Sequence, residues 1–359
     1  MSTATSARFE GPAAGCRTRL ISAADHAIWD EFVMNHPEGT FFHLIGWKNV
    51  IESTFRYRSY YIIAEEQDRI NAVLPFFAVK SRLFGSSLVS MAFGAYGGVL
   101  TLDENAVSPL MEKAQEITKQ ENLDYFELRN LYRQEADLPV KDLYYVFRRE
   151  ILPTVEENLQ AIPRKARRMI RAGRDKYQLR SDIGREALLP EFYEIYARSV
   201  HQLGSPVYPK ALFANLLREF KEDGEILLVR TPENKAIAGV MSFFYRDEIL
   251  PYYAGSLPEG KEMAANDFMY WALMEYACEK GYKIFDFGRS KKDTGSFDFK
   301  RHWGFEPRPL CYQYYLHHLK SIPNISPVNP KYQARIELWK KLPLPVTKVL
   351  GPLIVKQIP

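Results

Sequence analysis

Two stretches about 160 residues apart decide the fold: Lys119–Asn130, KQENLDYFELRN, and Cys278–Arg289, CEKGYKIFDFGR. Each reads as the end of an amphipathic helix, a polar break at Asn122 or Gly281, and a short alternating strand with an acidic residue at its centre. Working outward, Tyr60–Val79 reads strand, turn, strand, and Glu225–Tyr245 repeats that pattern. A third strand and a helix follow in both halves: Ser90–Leu100 with Val107–Gln120, then Glu248–Ser256 with Ala264–Glu279. In the last of these, Phe268, Trp271, Ala272, Glu275 and Tyr276 recur at spacings of three and four, and Asn266 or Asp267 is expected to cap the helix. The chain is therefore expected to be α/β (α+β): two tandem units, each a mixed sheet flanked by helices. The expected boundaries are 1–152 for the first domain and 153–320 for the second, with a proline-rich tail at 321–359.

A chain of 359 residues with 26% charged and 14% aromatic side chains has the composition of two globular domains, not of a disordered protein. Cys16, Cys278 and Cys311 are scattered and odd in number, which supports neither a disulfide framework nor a zinc site. His317 and His318 are adjacent and lack ligand spacing, so no metal is expected. The opening stretch, MSTATSARFEGPAAGCR, has no apolar core of a secretory signal, and no apolar run reaches the length of a spanning helix. The expected location is the cytoplasm, at the inner face of the membrane if the tail binds it.

Chemistry is expected in Asp286–Phe305, DFGRSKKDTGSFDFKRHWGF. A strand breaks at Gly288 into a loop carrying Arg289, Lys291, Lys292, Lys300 and Arg301 among aromatics, and loops at strand ends commonly carry function. Lys300 is flanked so that its stem can be held while its ammonium points into a cleft; a solvated basic loop is the plainer reading. Asp286, central in its strand, is read either as a structural partner or as a base. His201, near the end of an expected helix over Pro190–Leu203, is a candidate base with an ordinary pKa near neutrality, or a surface residue satisfying the helix dipole.

A second feature is Ala161–Arg174. Arg164, Lys165, Arg167, Arg168, Arg171 and Arg174 lie opposite Ile162, Ala166, Met169 and Ile170, with no acid among them. The segment reads as a basic amphipathic helix: a solvated face, or a rail for phosphates in which Arg167 and Arg171 are binding candidates.

The duplicated unit, the basic helix and FDFKRHWGF together resemble the FemAB-like proteins, tandem GNAT-type acyltransferases that attach amino acids from aminoacyl-tRNA to peptidoglycan precursors. FFHLIGWKNVIESTF (Phe41–Phe55), KSRLFGSSLVSMAFGAYGG (Lys80–Gly98), GSPVYP (Gly204–Pro209) and NPKYQARIELWKKLPLP (Asn329–Pro345) look like the members associated with PEP-CTERM and exopolysaccharide systems. The resemblance implies two GNAT-like domains and a catalytic Phe299-Lys300 pair, the lysine beside the acyl carbonyl. It implies acceptor contacts from Trp47 and Lys48, although the apolar neighbours of Trp47 also read as core. It sets Tyr253 and Ser256, in YYAGS (Tyr252–Ser256), at a strand end like the one where family tyrosines meet substrate, although both also read as structural; Tyr208 and Arg289 are further substrate-binding candidates. The implied activity is transfer of an acyl or aminoacyl group onto an amine of an envelope or polysaccharide precursor. The alternative is a non-catalytic polysaccharide- or partner-binding protein, and a third reading is a nucleic-acid binder built on the basic helix.

No bound cofactor is expected; aminoacyl-tRNA and acyl-CoA are the candidate co-substrates. GSLPEGKEMAAN (Gly255–Asn266), where a CoA-binding turn belongs, lacks the Gln/Arg-x-x-Gly-x-Gly arrangement, as does Gly97–Asn105. The tRNA donor suits the basic helix, yet the chain has no long heptad hairpin of the kind that tRNA-engaging relatives carry. The tail, with a helix expected at Tyr332–Lys341 and an apolar stretch at Leu344–Val355, is read as a strap across apolar surface or as an interfacial membrane anchor with Trp339 at headgroup level.

Overall fold

A computed structural model describes residues 16–82, 84–135, 137–324 and 330–358. Most of the opening stretch and the start of the tail motif, at 325–329, lie outside these. The chain resolves into two compact units. One holds the chain up to Asp142 together with Leu310–Asn324; the other holds Leu143–Pro309 and the C-terminal helices.

The first unit begins with β1 (Arg17–Leu20), α1 (His26–Asn35) and α2 (Ile45–Phe55). There follow β2 (Arg58–Glu66), β3 (Arg69–Ser81), β4 (Gly85–Val89), the two-residue β5 (Leu100–Thr101), α3 (Val107–Gln120) and β6 (Tyr125–Asn130). The second unit runs β7 (Tyr144–Glu150), α4 (Val155–Ala161), α5 (Arg164–Arg171), β8 (Arg180–Gly184), α6 (Leu189–Gln202) and α7 (Lys210–Phe220). It continues with β9 (Gly224–Arg230), β10 (Ala236–Tyr245), β11 (Glu248–Ser256), α8 (Pro258–Glu262), α9 (Ala265–Glu279), β12 (Ile284–Lys291), α10 (Gly295–His302) and β13 (Pro307–Pro309). Strand β14 (Cys311–Leu316) returns to the first unit, and α11 (Pro330–Lys341) and α12 (Leu344–Val355) belong to the second.

The two sheets repeat one topology. The first has the order β1-β2-β3-β4-β6-β14 with β5 beside β3; the second has β8-β9-β10-β11-β12-β7-β13. In each, an antiparallel meander leads through a helix to a strand that pairs parallel with the meander's last strand: β4 with β6, and β11 with β12. The repeat read from the sequence is therefore present, with both hairpins where the alternation puts them.

Three expectations need correction. The third strand of the first half is Gly85–Val89, not Ser90–Leu100, which is mostly irregular and is only entered by β5 at its end. The expected break at 152/153 does not match the packing, because β7 completes the second sheet against β12 while β14 completes the first against β6. Both strands offer hydrogen bonds to any open edge, and only the assembled sheets specify which edge each one closes. Asn266 and Asp267 do not cap α9; Ala264 takes the cap position in a left-handed conformation.

Apolar alternation places the cores. In the first unit Leu74, Phe76, Leu88, Leu110, Ile117 and Phe126 join α3 to its sheet. In the second, Phe147, Ile170, Phe268, Trp271, Phe285 and Trp303 bring α5, α9 and the end of α10 onto one face of the sheet. The other face carries α6, whose Phe192 and Tyr196 pack with Phe213 of α7. The tail helices lie on α6. Trp339 is buried and its indole N–H donates to the Ser205 carbonyl at 3.1 Å, and a Cβ on Gly351 would stand 2.5 Å from the Val207 carbonyl oxygen. Among the described residues no helix is long and apolar enough to cross a membrane.

Candidate active site

Strands β11 and β12 pair only at Glu248–Ile284 and Ile249–Phe285. Beyond that point β11 follows β10 and β12 follows β7, so two parallel strands part within one sheet. An ion network sits where they diverge. Arg148 of β7 pairs with Glu248 of β11, and its Nε lies 3.3 Å from Asp286 Oδ2 of β12. Burial raises the Glu248 carboxyl to about 7; the Arg148 guanidinium opposes that rise and Asp286 adds to it.

Past this network β12 bulges. Asp286 faces Arg148, but Arg289 faces Val146, so the strand carries one extra residue. Gly288 absorbs it with φ +67°, a conformation that disfavours a side chain. The Gly288 N–H donates to Asp286 Oδ1 at 2.7 Å, which fixes the bulge and turns the carbonyls of Gly288 and Arg289 toward α10.

Helix α10 replaces the expected loop. Its sequence signals are Thr294, whose hydroxyl accepts from the Phe297 N–H, and Gly304 just beyond the end. The helix carries Lys300 in its last turn and points it back at the bulge. The Lys300 ammonium donates to the Gly288 and Arg289 carbonyl oxygens, each at 3.2 Å. It stands 5.4 Å from the centre of the Phe147 ring and 5.8 Å from that of Phe287. The residue keeps some exposure along its stem while the amine end is enclosed. Burial lowers its pKa to about 7, against the pull of the Asp286 carboxylate and with a smaller push from Arg289. An ammonium has three donors and two are used here, so one N–H is left over among the described residues. The Ser290 hydroxyl is likewise buried without a partner.

Aromatic packing fixes this helix. Phe299 lies 5.6 Å from Tyr270 and 6.0 Å from Trp303, ring centre to ring centre. The Trp303 indole donates to Asp267 Oδ1 at 3.0 Å, and Asp267 is held above its ordinary pKa by burial. The rings facing the Lys300 amine are Phe147 and Phe287, not its sequence neighbours. Phe299 acts behind it, in the packing.

The other sequence candidates divide. Tyr253 and Ser256 lie on β11 beyond the divergence. The Tyr253 ring packs at right angles on Tyr196 and Tyr208, and its buried hydroxyl has no partner among the described residues. The Ser256 hydroxyl is buried on the Leu257 carbonyl. Arg289 lies over the Tyr144 ring at 4.6 Å, on the Asp286 side of β12. His201 is used elsewhere: its Nε2 is 3.3 Å from the Trp339 carbonyl of the tail. Trp47 is fully buried in the first unit with its N–H on the Ala92 carbonyl, and Lys48 pairs with Glu52 one turn on. Both side chains are thus committed to their own unit.

Arg167 and Arg171 are on α5, whose Ala166 and Ile170 are buried while Arg164, Lys165, Arg168 and Arg171 are exposed and Arg167 is half-buried. Among the described residues none of these five cations has an acidic partner; the next, Arg174, pairs with Asp175. The start of α5 touches the turn after α10, where a Cβ on Gly304 would stand 3.0 Å from the Pro163 ring. Sequence reasoning missed Arg148 and Glu248. They are far apart in the chain and meet only through the register of three strands, so no local signal marks them.

Residues 161–301 match the family model described as the acetyltransferase (GNAT) domain. No curated protein matches the sequence. Among solved structures, the chain is similar to FemX at 16% identity and a TM-score of 0.65, over 89% of this chain and all of that one. It is similar to the C-terminal domain of a protein assigned as a lysylphosphatidylglycerol synthetase from Agrobacterium fabrum, at 12% identity and a TM-score of 0.56, over 81% of this chain and 91% of that one. A tandem GNAT protein from the clavulanic acid biosynthesis pathway matches at 10% identity and a TM-score of 0.52, over 86% of this chain and all of that one. The chain thus has a tandem GNAT-like fold, and its 161–301 stretch carries the match to the acetyltransferase domain of that type.

Proposed function

We propose that the second unit is an acyltransferase, moving an acyl or aminoacyl group onto an amine of a cell-envelope or exopolysaccharide precursor. The observation that carries this reading is the Lys300 amine, enclosed beside the divergence of β11 and β12, with a donor left over and a pKa near 7. In the proposed step the acceptor nitrogen attacks the ester carbonyl carbon, and negative charge grows on the carbonyl oxygen. The spare Lys300 N–H meets that oxygen; a donor so placed is worth roughly 3–4 kcal/mol of barrier. The C–N bond forms, the ester C–O bond breaks, and the leaving hydroxyl departs with the proton lost by the nitrogen. Asp286 acts through the bulge, holding the two carbonyls that orient the amine.

The donor we favour is an aminoacyl-tRNA. The five cations of α5 without acidic partners form a basic surface suited to a phosphate backbone. The turn where a CoA pyrophosphate would sit, Gly255–Asn266, lacks the Gln/Arg-x-x-Gly-x-Gly arrangement. FemX and the synthetase-like domain share this fold, which is consistent with an envelope acceptor.

The test is transfer from aminoacyl-tRNA and from acyl-CoA to sugar amines and peptidoglycan precursors. Lys300→Ala is expected to lower turnover roughly 10²–10³-fold while leaving the melting curve cooperative. Full turnover by Lys300→Ala would refute the role of the amine, and turnover with acyl-CoA alone would refute the donor.

A further inference from the structure

Helix α12 is fastened by one face only. Thr347, Gly351 and Val355, four residues apart, are buried on the second unit. The stripe between them is aliphatic and open: Val346, Val349, Leu350 and Leu353 are 39%, 69%, 39% and 63% exposed. Leu338 of α11 and Leu203 at the end of α6 are 63% and 66% exposed. Gly204, next to Leu203, abuts Ile336 and Lys340 of α11, so that exposed leucine lies beside the tail helices. Trp339 is not part of this surface; it is the buried peg that fastens α11.

Charge sets the kind of partner. Residues 330–356 contain Lys331, Arg335, Lys340, Lys341, Lys348 and Lys356 against the single acid Glu337. Arg335 and Lys341 are exposed and have no acidic partner among the described residues, whereas Lys348 is held by Glu194. An aliphatic stripe about 10 Å long on one helix, in a tail segment that carries six cations against one acid, is the pattern of a segment lying flat in a lipid headgroup layer. A neutral surface would satisfy the leucines and valines but not the cations.

We infer that the exposed face of α12, with Leu338 and Leu203, docks the second unit on an anionic lipid bilayer. The attachment is peripheral. Six exposed aliphatic side chains make it weak and reversible, and the cations make it sensitive to salt. The inference does not depend on which group the enzyme transfers.

The test is flotation of the full chain with vesicles at low salt. Wild type is expected to float with vesicles containing phosphatidylglycerol, to stay behind with pure phosphatidylcholine, and to be released by added salt. Val349→Glu with Leu353→Glu is expected to lower the floated fraction by about tenfold or more at an unchanged melting temperature. Arg335→Glu with Lys341→Glu is expected to weaken binding to anionic vesicles alone. Wild type left unbound by anionic vesicles at low salt would overturn the inference. So would Val349→Glu with Leu353→Glu floating like wild type. A wild-type dimer that this double variant splits into monomers would assign the stripe to a second copy of the chain instead.

Discussion

The same topological event occurs twice in this chain, and the two copies treat it in opposite ways. In the first unit β4 and β6 run parallel and then part, and the chain itself occupies the opening. The Ser90 N–H reaches the Glu127 carbonyl, the Gly97 N–H the Arg129 carbonyl, and the Val99 N–H the Asn130 side chain. Arg129, buried beside Glu127 at 2.7 Å, donates to the carbonyls of Met91 and Gly94. His43 closes the far end, its ring nitrogens on Thr40 Oγ1 and the Gly98 carbonyl. Met91 and Phe93 take left-handed backbone conformations there, and Gly98 could carry no side chain, since a Cβ would stand 1.8 Å from Asn130 Oδ1. In the second unit β11 and β12 part around an ion network and an amine with a donor to spare. One divergence has become structure; the other leaves a Lys300 donor and the Ser290 hydroxyl without partners among the described residues.

That contrast can be broken from either side. The largest expected effect is in the first unit: Arg129→Met leaves Glu127 buried without its partner and should cost about 3–5 kcal/mol of that unit's stability in urea titration. Lys300→Ala comes next. It should lower kcat roughly 10²–10³-fold with little effect on KM, because the donor acts on charge that develops only in the transition state. A matched loss of stability instead would place Lys300 with Arg129, as structure.

His43 gives a pH test of the filled opening. Burial lowers its pKa from 6.5 to about 4. The unfolded chain then binds the proton more readily than the folded one, so stability is intact above about 6.5 and falls as pH drops toward 4. The expected loss is about 3 kcal/mol, read from urea midpoints and absent in His43→Gln. The smallest effect belongs to α5: Arg167→Glu with Arg171→Glu should weaken RNA binding about tenfold and flatten its salt dependence. Binding that ignores these charges would remove the support for a tRNA donor.

Much of this was legible in the sequence because periodicity survives tertiary packing. The hairpins, α3, α9 and the acid-centred strands β6 and β12 stand where the pattern puts them, and so does the cationic face of α5. The rest needed coordinates. Ser90–Leu100 has the composition of a strand, but its path is set by Arg129, His43 and Asn130 reaching in from elsewhere. The exchange of β7 and β14 is a choice between equivalent open edges. Asp286–Phe305 hid a helix whose cap, Thr294, is visible in hindsight, while the rings facing Lys300 come partly from β7, about 150 residues earlier. His201 and Trp339 each have a local reading, base or membrane anchor, and neither reading shows that the His201 ring meets the Trp339 carbonyl or that the indole is buried.

The second opening encloses an amine that burial tunes away from ordinary lysine behaviour. The carbon-13 shift of the Lys300 Cε, followed through a pH titration of the folded protein, reads this out. A midpoint near 7 is expected. A midpoint near the ordinary lysine value of about 10.4 would contradict the account.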